Sequence, residues 1–258
     1  MKLRLGFSFC PNDTFIFYAL SQKKVEIADI EIEPVMADVE ELNTMTLKGE
    51  LEVSKISVHA LQYAGKNYKL LSCGGAFGKK EAPILVSKNK SEGEIKTVAI
   101  PGKKTTAFLL FEKFFNGNPT IVEMRYDKIM PAVLREEVDA GVLIHEGRFT
   151  YKKHGLKLLL DLGREWQKRY NLPIPLGCIV LKKELSHLKE KIEKAIRESM
   201  VYACHNKDEV KKFVKKHAQE LDDKVIEEHI RAFVNEYTLE MGSEGKRAIE
   251  ALLGKSVD

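Results

Sequence analysis

The sequence has little of the chemistry that marks metal, redox or disulfide-stabilised proteins. Its 258 residues include only four cysteines, and none of them stands in a C-x-x-C spacing. The seven histidines form neither an H-x-x-x-H nor an H-E-x-x-H pair. Because zinc sites and redox pairs depend on such spacings, we expect no metal, no redox pair, and free thiols in a reducing compartment.

Long apolar runs are also missing. No uncharged stretch approaches the ~20 residues that a membrane-spanning helix needs. Residues 1–5 (MKLRL) lead directly into an alternating strand pattern, where a signal peptide would have an apolar stretch and a small-residue cleavage site. We therefore expect a cytoplasmic protein with no membrane partner, which argues against an exported transport receptor.

Neither sign of charge is in large excess. The chain has 42 basic and 38 acidic residues, a formal net charge of +4, and the two signs are interleaved along the sequence. Nucleic-acid-binding proteins usually concentrate positive charge on one face, so we expect no nucleic-acid partner. The lysine-rich stretch 182–216 has acidic residues at helical spacing, which is typical of solvated helix faces.

What the sequence does contain is a regular alternation of strand and helix patterns. Alternation at this short spacing predicts mostly parallel sheets covered by helices, an α/β fold. Asp38 and Glu41 are placed to form a capping box at the start of one helix. The predicted strands are 2–8, 28–36, 53–58, 97–100, 120–124, 140–144, 158–162 and 176–181, the predicted helices are 13–22, 39–48, 105–115, 129–137, 185–205, 207–218, 222–234 and 243–253, and 163–171 is a predicted polar insertion.

The alternation stops and then restarts, which predicts two lobes. Two extended runs without a helix between them, followed by the polar stretch 88–94, separate the first part from the second. A later apolar run is expected to return the chain to the first lobe. We expect residues 1–88 and 178–258 to form a larger lobe and 89–177 a smaller one. This is the architecture of periplasmic-binding-protein-like (class II) folds, whose ligand lies in the cleft between the lobes.

Three segments stand out for their residue types and their order. They are residues 8–15 (SFCPNDTF), 102–107 (GKKTTA) and 141–146 (GVLIHE). Together, at this spacing, they resemble the menaquinone-biosynthesis enzymes of the futalosine pathway, and among these the 1,4-dihydroxy-6-naphthoate synthase family. The resemblance covers essentially the whole chain, and the first segment is its most specific part.

This resemblance implies a reaction as well as a binding-protein-like fold. The implied activity is that of a carbon–carbon lyase, which cleaves cyclic dehypoxanthine futalosine to 1,4-dihydroxy-6-naphthoate and a three-carbon dihydroxyacetone fragment. It implies a small-molecule carboxylate as substrate and neither cofactor nor metal. Two alternatives stay open: a non-catalytic solute-binding protein of the same fold, and the related chorismate dehydratase of the same pathway. A homodimer stays open as the assembly.

His145 follows the predicted strand 140–144, at the strand end where this fold class faces its cleft. Imidazole, with an ordinary pKa of roughly 6.5, suits proton abstraction near neutral pH. From the residues alone, His145 is either a catalytic base or a structural histidine at a strand end. The resemblance implies that it is the general base.

Two further segments are candidates for binding the substrate. Thr106 and Ala107 lie at the start of a predicted helix, where free N–H groups attract anions, and the resemblance implies that they contact the substrate carboxylate. It also implies substrate contacts from Lys55, Ile56 and Ser57. The alternatives are that the threonine and the serine only cap helices, and that the lysine points to solvent.

The first of the three segments carries both a cap residue and a thiol. Asp13 can cap a helix that starts at Thr14, so a structural role is its default interpretation. Cys10, near that helix N-terminus, could be an activated nucleophile, but the sequence places no histidine beside it. The glycine-rich segment 74–78 lacks the G-x-x-x-x-G-K-[ST] pattern, and we interpret it as a turn between strands rather than a phosphate loop.

Overall fold

The computed structural model describes residues 1–218 and 222–257, and the predicted alternation of strands and helices is present in it. The strands are β1 (Lys2–Phe7), β2 (Glu31–Met36), β3 (Val53–Ser57), β4 (Tyr68–Leu70), β5 (Ala76–Gly78), β6 (Ile84–Ser87), β7 (Thr97–Ile100), β8 (Thr120–Glu123), β9 (Ala140–Leu143), β10 (Lys157–Asp161) and β11 (Ile174–Lys182). The helices are α1 (Pro11–Ser21), α2 (Val39–Leu47), α3 (Val58–Ala64), α4 (Thr106–Phe114), α5 (Tyr126–Leu134), α6 (Gly147–Thr150), α7 (Leu162–Tyr170), α8 (Lys189–His205), α9 (Lys207–His217), α10 (Asp223–Phe233), α11 (Glu236–Leu239) and α12 (Gly242–Leu253).

The first sheet combines the N-terminal part of the chain with one late strand. Its strand order is β2-β1-β3-β11-β4, and β5 pairs with another part of β11. β1 runs parallel to β2 and β3, whereas β11 is antiparallel to β3, β4 and β5. Helix α1 packs against α8, α9 and α10. The C-terminal helices therefore belong to the same lobe as the N-terminus.

The second sheet comes from the middle of the chain. Its strand order is β10-β6-β9-β7-β8. β7 is parallel to β8 and β9, and β6 is antiparallel to β9 and β10. The chain passes between the two sheets twice, from β5 to β6 and from β10 to β11. These sheets and their two connections confirm the predicted two-lobed α/β fold.

The sheet connections lie earlier in the chain than the expected lobe boundaries. Strand β6 falls inside the expected larger lobe (1–88), but its hydrogen bonds go to β9 and β10 of the second sheet. Strand β11 joins the first sheet from Ile174 rather than from residue 178, because Ile174 pairs with Gly78 of β5. Both differences in the boundaries arise because β6 and β11 pair with strands that are distant in sequence. The local composition of the chain does not reveal these strand partners.

The prediction of a polar insertion at residues 163–171 is wrong, because the chain forms helix α7 there. Asp161 is its N-cap and accepts hydrogen bonds from the amides of Gly163 (3.0 Å) and Arg164 (3.1 Å). Trp166 of this helix is fully buried, and its indole N–H donates to the Leu172 carbonyl at 2.8 Å. The apolar face of α7 consists of few residues four positions apart, so the surrounding charged residues hide it in the sequence.

Helix α1 also departs from the prediction, because it begins at Pro11 with Cys10 in the N-cap position. Proline suits the first helical position, where its missing N–H would have no intrahelical acceptor. Asp13 is therefore in the first turn and is not the N-cap. At the start of α2, the predicted capping box of Asp38 and Glu41 is present.

Two apolar clusters hold the elements around the cleft. One includes Phe7 of β1 and Phe17 of α1. The other combines residues of both sheets, such as Val98 and Val180, and continues to Ile249 of α12. Burial of one such side chain contributes about 1.5–3 kcal/mol, so this shared cluster holds the two lobes against each other.

The C-terminal helices α8, α9, α10 and α12 are amphipathic, whereas α1 is buried on nearly all sides. The longest, α8, has 17 residues, among them several lysines and glutamates. In the part of the chain that the structure describes, no helix combines the length and the apolar character that a membrane span requires.

Candidate active site in the cleft between the lobes

Loops after the strands of both sheets surround one cavity of about 100 Å3. All six predicted site residues line it: Lys55, Ile56, Ser57, Thr106, Ala107 and His145. Four of the surrounding loops follow the carboxyl ends of β1, β3, β7 and β9, which is where open α/β folds bind their ligands. The structure thus brings the predicted residues together, while the roles assigned to them stay predictions.

The two lobes are in contact on either side of this cavity. The amide of His59 on the first lobe donates to the Thr106 hydroxyl at 3.2 Å, and the Lys104 ammonium lies 3.3 Å from the Glu40 carboxylate. A typical ligand pocket holds roughly 300–1,000 Å3, which is more than this cavity. The cavity enclosed between the lobes is therefore smaller than a typical ligand pocket.

A buried ion pair forms part of the cavity wall. The Lys55 ammonium lies 3.0 Å from the Asp13 carboxylate, and both side chains are about 95% buried. The ammonium also donates to the Gly74 carbonyl at 2.7 Å, and the carboxylate accepts hydrogen bonds from Ser8 and Asn12. Lys55 therefore does not point to solvent, and its charge is balanced within the protein.

His145 contacts a partner that the sequence did not reveal. The Cys10 sulfur lies 2.9 Å from His145 Nδ1 and 3.3 Å from Nε2, across the cleft between the lobes. Tyr126 packs its ring edge-on against the imidazole, with the ring centroids 4.7 Å apart. The sequence placed no histidine beside Cys10, because 135 positions separate the two residues and only the fold brings them together.

Burial keeps both members of this pair neutral. It lowers the pKa of the His145 imidazole to about 4, although the Asp13 carboxylate partly opposes the shift. Burial, and next the nearby Glu146 carboxylate, raise the pKa of the Cys10 thiol well above its ordinary value. A catalytic cysteine reacts as its thiolate, so this raised pKa argues against Cys10 as an activated nucleophile.

The backbone of His145 adopts an unusual conformation. Its φ is +54°, in the left-handed region that non-glycine residues rarely occupy. Such a conformation costs about 1–3 kcal/mol. This turn follows β9, and His145 lines the cavity.

The N-terminus of α4 presents free amides to the same cavity. Its N-cap is Thr105, whose hydroxyl accepts from the Phe108 amide at 3.2 Å. The Thr106 hydroxyl is engaged elsewhere and donates to the Leu176 carbonyl at 2.8 Å. Among the backbone hydrogen bonds of the described residues, none uses the amide of Thr106 or Ala107. These two N–H groups are therefore available for an anion.

Ser57 does not act as the helix cap that sequence left open. It occupies the N-cap position of α3 without a side-chain cap hydrogen bond. Instead, its amide donates to Asn43 Oδ1 at 2.9 Å, and its hydroxyl accepts from Asn43 Nδ2 at 3.2 Å. Asn43 thus fixes the orientation of Ser57 at the cavity wall.

Sequence reasoning missed one further polar residue of the cavity, His229 of α10. Its Nε2 lies 2.8 Å from Asn12 Oδ1, although 217 positions separate the two residues in sequence. His229 shares the buried face of α10 with Val225, Ile226 and Phe233. An isolated histidine on an apolar helix face gives no signal of a site, so the sequence could not have identified it.

The fold and the cavity define a class of protein before any comparison is made. Two α/β lobes are joined by two connections and enclose a cavity with a free helix N-terminus and the half-buried imidazole of His145. This arrangement is a binding-protein-like fold with a small-molecule site. The chain matches the family model for menaquinone biosynthesis over residues 3–257. This chain therefore belongs to the menaquinone biosynthesis family.

Two relatives have the same name. A protein of Thermus thermophilus named "1,4-dihydroxy-6-naphtoate synthase" is 43% identical over 98% of this chain and 93% of its own length. A protein of Streptomyces coelicolor with this name is 38% identical over 98% of this chain and 92% of its own length. Both alignments span the three segments on which the resemblance was based.

Solved structures support the fold. A crystal structure of an Archaeoglobus fulgidus protein is 37% identical, with a TM-score of 0.93 over 98% of this chain and 96% of that chain. A Candida albicans protein described as showing the generic periplasmic binding protein fold has a TM-score of 0.70 at 11% identity, over 98% of this chain and 90% of that chain. The predicted periplasmic-binding-protein-like fold is thus confirmed.

Proposed function

We propose that this chain is the carbon–carbon lyase that cleaves cyclic dehypoxanthine futalosine to 1,4-dihydroxy-6-naphthoate and a dihydroxyacetone fragment in the futalosine pathway. The two relatives of this name, which match along nearly the whole chain, support it. The structural observation that carries the proposal is the position of His145. Its neutral imidazole lines the same cavity as the free amides of α4.

The N-terminus of α4 is the anchor for the substrate carboxylate. Oriented amides and the positive end of the helix dipole stabilise an anion without a basic side chain. This fits the cavity, because its one lysine, Lys55, is already paired with Asp13. Ile56 and Ser57 complete the neighbouring wall, where backbone groups and a hydroxyl contact the substrate.

His145 is the general base of the proposed reaction. Its imidazole is neutral at pH 7, so one ring nitrogen has a free electron pair that can accept a carbon-bound or hydroxyl proton from the substrate. A pKa of about 4 would make it a weak base. A carboxylate that binds nearby favours the charged imidazolium, so substrate binding itself raises the pKa toward the range that suits a base.

The direct test is conversion by the purified protein. Cyclic dehypoxanthine futalosine is added, and formation of 1,4-dihydroxy-6-naphthoate is followed by mass spectrometry. Chorismate under the same conditions is the control for the dehydratase alternative. Conversion of chorismate alone would overturn the proposal, and binding of the futalosine derivative without any conversion would favour the non-catalytic alternative. The cytoplasmic location, the homodimer and the absence of nucleic-acid and membrane partners stay predictions.

A further inference from the structure

His229 is a buried polar residue for which the proposed reaction has no role so far. It lines the cavity, and the residue is only 1% exposed. Among the described residues, its Nδ1 has no hydrogen-bond partner. An unsatisfied buried nitrogen costs about 1–3 kcal/mol, so an orphan nitrogen beside a ligand cavity indicates a bond that the ligand completes.

A chain of hydrogen bonds fixes which nitrogen of His229 carries the proton. The Asp13 carboxylate, paired with Lys55, can only accept, so the Asn12 amide nitrogen must be the group that faces it, at 2.8 Å. The Asn12 oxygen then faces His229 Nε2 at 2.8 Å, and an oxygen there requires that Nε2 be protonated. Nδ1 is consequently the nitrogen with the free electron pair.

The imidazole of His229 also stays uncharged. Burial, and next the neighbouring His145, lower the pKa of His229 well below its ordinary value. The two rings are close, with centroids 6.2 Å apart. His229 therefore presents a hydrogen-bond acceptor, near the base, whose polarity does not change around neutral pH.

We propose that His229 is a substrate-binding residue whose Nδ1 accepts a hydrogen bond from a hydroxyl group of the substrate. This inference rests on the proposed function and deepens it. A carboxylate has no proton to donate and is excluded from Nδ1, so it binds at the amides of Thr106 and Ala107. The hydroxylated three-carbon part of the substrate then lies at His229, beside His145. Asn12 is a positioning residue that holds the tautomer.

The tautomer is tested first, on the wild-type protein with 15N-labelled histidine. The His229 resonances, assigned by their loss in His229→Phe, should show an unprotonated Nδ1 and a protonated Nε2. His59 is the internal reference with the reverse pattern, because its Nδ1 faces the Thr105 carbonyl at 3.2 Å. A protonated Nδ1 in His229 overturns the proposal. The tautomer is read from wild-type protein, and His229→Gln provides the assignment if His229→Phe does not fold.

The ligand contact is tested with the substrate and with an analogue that lacks its sugar-derived hydroxyl groups, in a His145→Asn background that does not consume them. The substrate should shift the Nδ1 resonance and the analogue should not. His229→Phe should bind the substrate about 3- to 10-fold more weakly and leave the analogue unaffected, since one neutral hydrogen bond is lost. Equal weakening for both ligands, or none for either, overturns the proposal.

These results separate the inference from the proposed function. If wild-type protein forms the naphthoate but Nδ1 does not respond to the substrate, the function stands and the inference fails. If Nδ1 responds to the substrate but wild-type protein forms no naphthoate, the inference stands as a binding contact and the function fails.

Discussion

Two polar pairs line the same cleft, and one is charged whereas the other is neutral. Asp13 and Lys55 are a paired carboxylate and ammonium, 3.0 Å apart. Each has further hydrogen bonds, to Ser8 and Asn12 on one side and to the Gly74 carbonyl on the other. Cys10 and His145 have a thiol–imidazole contact and are neutral. Burial in this cleft thus tolerates charge only where several hydrogen bonds satisfy it.

The difference suggests that the two pairs have different roles, one structural and one chemical. The charged pair belongs to the framework, because its groups are saturated and fix Asn12 and, through it, His229. In the neutral pair, His145 belongs to the chemistry, because a neutral imidazole can still accept a proton. The predictions below change one pair at a time.

The largest effect is expected from His145→Ala and His145→Asn. Loss of a general base should lower kcat by about 100- to 10,000-fold, while binding of a substrate analogue is retained, because a base acts mainly in the transition state. The measurement is steady-state kinetics together with calorimetric binding. Asparagine keeps polarity and part of the ring volume, so agreement of the two variants separates proton transfer from packing. A variant with near wild-type kcat would show that another group takes the proton.

Breaking the charged pair should act on stability. Asp13→Asn leaves the Lys55 ammonium buried without its counter-charge, which is expected to lower the free energy of unfolding by about 3–5 kcal/mol. Chemical denaturation measures this. The double variant Asp13→Asn with Lys55→Met removes both charges and should recover part of the loss. Equal stability of Asp13→Asn and wild type would mean that the pair is not a charged framework element.

The neutral pair makes stability depend on pH. The ordinary pKa of histidine is 6.5 and that of His145 in the fold is about 4, so between these values the unfolded chain binds more protons than the folded one. The contribution of His145 to the free energy of unfolding is therefore fully present above pH 6.5 and is lost as the pH falls toward 4. The loss from this residue is about 3 kcal/mol. Urea denaturation at pH 7.5 and 4.5 should show it, and His145→Asn should have a correspondingly smaller pH dependence.

The sequence was sufficient for what depends on local pattern. It predicted the strand–helix alternation, the Asp38 capping box and a cleft at strand ends, because side-chain periodicity and fold class determine these features. The choice of Ser57, Thr106 and His145 as residues of that cleft rested on the family resemblance as well. It missed α7, whose apolar face is sparse. It also missed the contacts of His145 with Cys10 and of His229 with Asn12, since these form only when segments more than 100 residues apart pack together.

The smallest effect is expected at Cys10, and it tests whether the thiol is chemically passive. Cys10 is buried and its pKa is raised, first by that burial, so little thiolate forms near neutral pH, whereas Cys204 is exposed. Iodoacetamide at pH 7.5 should modify Cys204 quickly and spare Cys10, as read by peptide mass mapping, and Cys204→Ser should remove the fast reaction. Cys10→Ala should lower kcat by less than about 10-fold, because it removes one neutral hydrogen bond to His145. A loss as large as that of His145→Ala, or rapid labelling of Cys10, would instead make the thiol a nucleophile and end the contrast between the two pairs.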